Sequence, residues 1–320
     1  MRVVNYFDSD NKEHWLNEIR KGDWSAAAFL YELLSKGTFF DAVGENSRVL
    51  LLTDGDELIS FCTYAEKDDI QPTELTPWIG FVYTFPKHRG HHYVSLLMEE
   101  AERLAMKDGI SEVYISTNHI GLYEKYGCEF KTEMMDMNGE LSGVYVKKIP
   151  NDELLIELQD TEWPFEYTDH DRRIARAIVY DDEGFFYFVR AERDDDFGRA
   201  TLIETSGGGV EPGEDLNTAI RRELKEELGA EVEVICRIGI VSDHYNLIHR
   251  HNLNNYFLCK VISFGDKHLT QDEIEDFHLS TLKLAYDEAV AEYEKRRETR
   301  LGRLVANREL PILRKARELM

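Results

Sequence analysis

Three glutamates offer the clearest chemistry in the chain. Glu223, Glu226 and Glu227 stand at i, i+3 and i+4, so a helix would project them from one face. Asp215 is a natural N-cap for that helix, and Gly229 sits where a left-handed residue would close it. Ile220, Leu224 and Leu228 recur at a spacing of four and supply an apolar stripe to dock it. Like charges on one helix face repel by a few tenths of a kcal/mol per pair. An ordinary acidic solvent face is the plain alternative. A hard divalent cation gives a reason to tolerate the repulsion, because Mg²⁺ takes carboxylate oxygens and waters and bridges to substrate phosphates. Gly207, Gly208 and Gly209, just upstream, let the backbone approach a ligand closely and turn into the helix.

A second stretch, residues 78–109, carries different chemistry. An apolar strand ends at Pro86, a basic turn follows, and Val94, Leu97, Met98, Ala101, Leu104 and Ala105 then mark one helix face. A turn containing Gly90 at a helix N-terminus exposes backbone N–H groups, which favour an anion. Lys87, His88, Arg89, His91 and His92 make it the most basic short stretch of an acidic chain. On these facts alone, a structural turn with incidental basic residues is the better reading.

Family resemblance sharpens both. Gly208, five residues, Glu214, seven residues and then Arg222-Glu223-Leu224-x-Glu226-Glu227-x-Gly229 resembles the Nudix box of the Nudix hydrolases, with Ala230 where a larger aliphatic residue is usual. The likeness extends over about residues 174–288, with Leu202-Ile203-Glu204 as an approach strand, Ser206 where proline is common, and Leu202 near a frequent tryptophan position. It implies hydrolysis of a small diphosphate-linked molecule, usually a nucleoside derivative. Mg²⁺ or Mn²⁺ would be held by Glu223, Glu226, Glu227 and Gly208, with Glu226, Glu227 and Arg222 as the catalytic set. Arg222 would orient a glutamate of the box, while Glu214 would support the loop or an outer metal. Glu273, Glu275 and Asp276 are candidates for a further carboxylate outside the box. His244, His249 and His251 could touch phosphate or base, though ordinary surface-loop histidines are the better reading.

The other stretch resembles the acetyl-CoA motif of GNAT acyltransferases. Arg89-Gly90-His91-His92-Tyr93-Val94 stands in the place of R-G-x-G-x-G/A, with His92 and Val94 at glycine positions. Asn118, followed by Gly121-Leu122-Tyr123-Glu124-Lys125-Tyr126-Gly127-Cys128-Glu129-Phe130, resembles the later helix–turn–strand of that family. The resemblance implies acetyl-CoA bound by residues 89–94 and Asn118, transfer to a small amine, and Tyr123 as the acid that protonates the departing thiolate. It covers about residues 1–149 and is diffuse before Arg48.

The elements that must position these residues divide the chain. Its 320 residues exceed one ordinary core and suit two. Residues 147–169 hold two of the seven prolines in acidic surroundings and read as an extended linker or domain edge. Strand-like runs begin at Arg48, Leu58, Trp78 and Val113 before it, and at Ile174, Phe185 and Asn255 after it. The expected fold is a two-domain α+β and α/β chain. Residues 1–150 form a GNAT-like mixed sheet with flanking helices, and residues 151–320 a Nudix α/β/α sandwich with a C-terminal helical tail. That tail, from Leu284, is expected to be a solvated amphipathic helix packing on its domain, interrupted near Pro311.

A formal charge of −24 disfavours nucleic acid polymers and anionic membranes. The run from Trp78 to Phe85 falls far short of the ~20 apolar residues of a membrane span. Four scattered cysteines without a CxxC pair fit a reduced compartment, so a cytoplasmic, bifunctional enzyme is expected, and a homodimer is compatible with it. The alternative is that only the Nudix half is catalytic, with the first half binding CoA or a partner.

Overall fold

The computed structural model describes residues 1–150, 153–268 and 279–320. Glu273, Glu275 and Asp276 lie outside the described residues. The chain divides into two compact units, Met1–Asn151 and Asp152–Met320.

In the first unit the strands are β1 (Arg2–Asn5), β2 (Arg48–Asp54), β3 (Glu57–Ala65), β4 (Trp78–Thr84), β5 (Glu112–Thr117), β6 (Glu129–Met135) and β7 (Leu141–Lys148). They form one sheet in the order β1-β2-β3-β4-β5-β7-β6. Near-continuous apolar sequence in β2 and β3 fits strands covered on both faces. Leu50 and Leu52 point to helix α4 (Val94–Lys107), which buries Leu97, Met98, Ala101, Leu104 and Ala105 against the sheet. Val49 and Leu51 point the other way, onto α1 (Lys12–Ile19), α2 (Ser25–Lys36) and α3 (Phe39–Val43). The period of two along β2 thus serves two cores at once.

Strands β4 and β5 run parallel and pair only at Trp78 and Tyr114. Beyond that point both contribute to the wall of a cavity of about 750 Å³. The register of β3 against β4 slips between Phe61 and Thr63, opposite Phe81, whose φ is +50°. A bulge with a bulky residue in the left-handed region costs ~1–2 kcal/mol and turns the strand where the cavity begins.

In the second unit, β9 (His170–Tyr180), β10 (Phe186–Asp195), β11 (Gly198–Glu204), β13 (Ala230–Tyr245), β14 (Arg250–Phe264) and β8 (Leu154–Leu158) form the main path β11-β10-β9-β14-β13-β8. Off it, β12 (Ser206–Gly209) pairs with β9, and β15 (Ser280–Leu284) with β10. The stretch 147–169 is therefore more than a linker, because β8 pairs in parallel with β13. Helix α5 (Leu216–Leu228) covers one sheet face through Ala219, Ile220, Leu224 and Leu228. Helices α6 (Tyr286–Arg296) and α7 (Arg300–Leu319) cover the other, which completes the α/β/α sandwich.

The tail departs from its reading twice. The break falls at residues 297–299, where Thr299 Oγ1 accepts from Gly302 N at 3.1 Å, and α7 runs unbroken through Pro311. Leu310, Ile312, Leu313 and Ala316 are buried on both sides of the proline, so packing outweighs its lost hydrogen bond. Nor is the charged stretch solvated: Arg308 is 2% exposed and Glu309 0%.

Candidate active sites

The box helix begins at Asp215, whose Oδ1 accepts from Thr218 N at 3.0 Å, and ends at Gly229 with φ +67°. Arg222 organises the face above it. Its Nε and Nη2 hold Glu214 at 3.0 and 2.9 Å, Nη1 donates to Glu223 at 2.7 Å and to Glu226 at 3.3 Å, and Nη2 reaches the Gly209 carbonyl at 3.0 Å. These contacts hold the guanidinium charge fixed and keep the Glu214 carboxyl below its usual range. Repulsion among the glutamates is thus offset by a cation already in the chain. Glu227 turns the other way. Its Oε2 accepts from Ser206 Oγ at 2.6 Å and from Gly207 N at 2.9 Å, while burial pushes its carboxyl up to about 7.

Gly208 lies close against the helix: a Cβ there would stand 2.5 Å from Glu223 Oε2 and would push that carboxylate aside. The strand backbone thereby lies against a box carboxylate. Among the described residues no three His, Cys, Asp or Glu side chains converge as a finished metal cage, because Arg222 draws Glu223 and Glu226 while Ser206 and Gly207 draw Glu227. In chemistry the donor set still fits a hard cation: carboxylate oxygens beside a glycine strand with no bulk between them.

Sequence reasoning overlooked two neighbours. Ser206, noted only as a departure from proline, supplies a hydroxyl to Glu227. Arg172 places its guanidinium 3.3 Å from where a Gly209 side chain would begin. The three histidines belong to strands or a strand junction, not a surface loop. His244 pairs with His251 across β13 and β14, His251 bonds Ser242 and Asp171 at 2.8 and 3.0 Å, and His249 stacks on Tyr167.

In the first unit the expected cofactor residues divide. Gly90 has φ +85°, and His92 adopts φ +57°, so histidine takes the left-handed backbone that a glycine would provide. The amides of Gly90, His91, His92 and Tyr93 donate to no backbone carbonyl among the described residues. Val94 opens α4, and His91 stacks on Tyr93 at 5.4 Å. Arg89 folds back instead: Nε donates to the Thr84 carbonyl at 2.9 Å, and Nη2 lies 3.5 Å from Asp23.

Tyr123 and Asn118 meet at the cavity between β4 and β5. Tyr123 begins a short 3-10 turn, is 6% exposed, and burial holds its hydroxyl well above the usual tyrosine range. Asp68 lines the same cavity. Burial and the neighbouring Asp69 push its carboxyl up to about 7. Both Asp68 oxygens lie 2.7 Å from where a Gly80 Cβ would be, so any side chain there would displace the carboxyl. No motif announced Asp68. Its signal is an acidic pair, Asp68-Asp69, followed by a strand with a glycine at its third residue.

Two family models match the chain. "Acetyltransferase (GNAT) family" spans residues 13–128, and "NUDIX domain" spans residues 170–299. The chain is a fusion of a GNAT-family domain and a NUDIX-family domain, an acyltransferase class joined to a hydrolase class. Among solved structures it is similar to a NUDIX hydrolase from Nitrosomonas europaea, at 23% identity and TM-score 0.33, covering 38% of this chain and 78% of that one. A MutT NUDIX hydrolase from Burkholderia pseudomallei matches at 21% identity and TM-score 0.30, over 38% of this chain and 87% of that one. An aminoglycoside 6'-N-acetyltransferase complexed with coenzyme A matches at 16% identity and TM-score 0.34, over 47% of this chain and 98% of that one. No curated protein sequence matches the chain. Among the described residues no helix is long and apolar enough to cross a membrane.

Proposed function

We propose that the second unit hydrolyses a small diphosphate-linked molecule with Mg²⁺ or Mn²⁺, and that the first transfers acetyl from acetyl-CoA to a small amine. The observation that carries the first activity is the Arg222 network. It presents Glu223 and Glu226 together, with Glu227 anchored on the glycine strand. Glu223, Glu226, Glu227 and the Gly208 carbonyl would hold the cation, which when bound neutralises diphosphate charge and lowers the pKa of water. Arg222 orients the glutamates, and Ser206 with Gly207 keeps Glu227 facing the strand.

The observation that carries the second is Asp68 and Tyr123 lining one cavity. Asp68, with its carboxyl near neutrality, takes a proton from the acceptor ammonium. The freed nitrogen bonds to the acetyl carbon, the carbon–sulfur bond breaks, and the Tyr123 hydroxyl protonates the departing sulfur. The second amine proton returns to Tyr123 through water, so the balance is one amide, one thiol and one proton released. Free amides at residues 90–93 and the N-terminus of α4 suit the CoA pyrophosphate.

Parallel assays on the purified chain test both. Phosphate release from nucleoside-diphosphate compounds with and without Mg²⁺ reads the first, and thiol release from acetyl-CoA with amine pools reads the second. Metal-independent hydrolysis would overturn the first reading. CoA binding without thiol release would reduce the first unit to a binding module.

A further inference from the structure

Thr205 is where a strand changes partners. Glu204 still pairs with Val189 of β10, and Ser206 already pairs with Ala177 of β9, so Thr205 belongs to neither ladder. It is fully buried, and its peptide groups need partners that water cannot supply. Two charged side chains supply them. Glu309 of α7 accepts from Thr205 N at 3.2 Å, and Arg176 Nη1 of β9 donates to the Thr205 carbonyl at 3.0 Å. Both are themselves held. Glu309 Oε1 accepts from Arg308 Nε and Nη2 at 3.0 and 2.8 Å and from Tyr256 Oη at 2.9 Å, while Tyr293 Oη donates to Oε2 at 3.4 Å. Arg176 Nε donates to Asn254 Oδ1 at 3.3 Å, and its Nη2 lies 3.6 Å from Glu204.

We infer that Glu309 and Arg176 are positioning residues for Glu227: by clamping the Thr205 peptide groups they set where the Ser206 and Gly207 donors stand. The inference rests on the hydrolysis reading above, and it makes α7 a working part of that site as well as a cover for the sheet. Ser206 Oγ and Gly207 N hold the Glu227 carboxylate, and they follow Thr205 directly in the chain. A carboxylate that is to hold a cation has to be kept within ~0.5 Å of its place. The ladder to β9 begins only at Ser206, so at Thr205 the entering chain is fixed by side chains. A neutral acceptor would satisfy a single amide, and burying a charge is costly. A carboxylate gripped by a guanidinium and two phenols is a stiffer anchor, and its bond to an amide is roughly twice as strong as a neutral one.

Glu309→Gln separates the clamp from the docking of the helix. Arg308 and Tyr256 bring their donors to Oε1, so they claim the amide oxygen and turn the NH2 toward Thr205 N, donor against donor. Tyr293→Phe is the control, because it deletes a bond to Glu309 and leaves Thr205 held. Mn²⁺ binding to the substrate-free full chain is read by calorimetry, beside the melting temperature and Mg²⁺-dependent phosphate release. Both variants should melt lower, and only Glu309→Gln should bind Mn²⁺ about tenfold more weakly, with phosphate release falling alongside. Loosening Thr205 displaces both donors together, so this loss should exceed that of Ser206→Ala, which leaves Gly207 N in place. Should Glu309→Gln not fold, Arg176→Lys keeps the charge beside Glu204, gives up the planar grip on the Thr205 carbonyl, and should show the same weakening. Mn²⁺ affinity unchanged in the folded variant, or weakened equally in Tyr293→Phe, would overturn the inference and leave Glu309 a structural residue. No Mn²⁺ binding by the wild type would instead sink the hydrolysis reading and this inference with it.

Discussion

Asp68 and Glu227 are buried carboxyls in separate units, each pushed up to about 7, and they reach that value by different routes. Glu227 is desolvated and faces Glu223, yet Ser206 Oγ, Gly207 N and Arg176 all favour its charged form. Asp68 is desolvated and faces Asp69, with a single backbone amide in its favour. The Glu227 frame is fixed on all sides and suits a ligand that brings charge from outside. Asp68 lines a cavity, where a group near neutrality could exchange a proton with what enters on the proposed reading. On the proposed reading, similar proton affinities would serve anchoring in one unit and acid–base chemistry in the other.

The sharpest way to break this contrast is Tyr123→Phe. Turnover in acetyltransfer should fall by ~10²–10⁴-fold while acetyl-CoA affinity, read by calorimetry, stays put, because the hydroxyl is needed only as charge develops on sulfur. Normal kcat with a lowered melting temperature would make Tyr123 a core residue.

On the other side, Glu226→Gln and Glu227→Gln should each cut Mg²⁺-dependent hydrolysis by at least ~10²-fold with the circular dichroism spectrum unchanged. Unchanged turnover in both at saturating Mg²⁺ removes the box from the mechanism.

Asp68 gives a smaller effect with a definite sign. The folded carboxyl holds its proton up to about 7, against an ordinary 3.8. Its contribution to stability is therefore fully present below about 3.8 and is lost as pH rises through about 7. At pH ~8 Asp68→Asn should melt higher than the wild type, by about 2–4 °C for each kcal/mol relieved, and at pH ~4 the gain should vanish. The acetyltransfer rate should rise through about 7 in the wild type and lose that limb in the variant. A melting difference independent of pH would show that Asp68 is ionised throughout.

Ser206→Ala should have the smallest effect. It deletes a single hydrogen bond to Glu227 and should lower stability by ~1 kcal/mol, read as a shift of the urea midpoint at constant slope. No shift at all would mean that Gly207 N alone holds the carboxylate.

The second site was nearly all legible in the chain because it is local. Residues 206–229 contain the cap, the apolar stripe, the glycines, Arg222 and all three glutamates, and helix periodicity alone fixes which of them share a face. Only the direction of each carboxylate was hidden, since it depends on Arg222 and Ser206 reaching across from the helix and from β12. The first site was legible in its two motifs and no further. Asp68, Gly80 and Tyr123 come from separate elements, and the bulge at Phe81 and the parting of β4 from β5 bring them to one cavity.

The C-terminal helix marks the boundary between the two kinds of knowledge. Its sequence determines a helix with mixed charge, and mixed charge at the surface is the ordinary outcome. Tertiary structure alone decided that Arg308 and Glu309 are buried. Glu309 accepts from Thr205 N at 3.2 Å and Tyr256 Oη at 2.9 Å, while Arg308 reaches Glu204 at 3.3 Å and Tyr245 Oη at 2.9 Å. Those partners come from β11, β13, β14 and the residue before β12, each far in sequence from the helix. Periodicity reports which face a residue shares; it carries no term for the donors another strand will bring, and buried charges survive only where such donors converge.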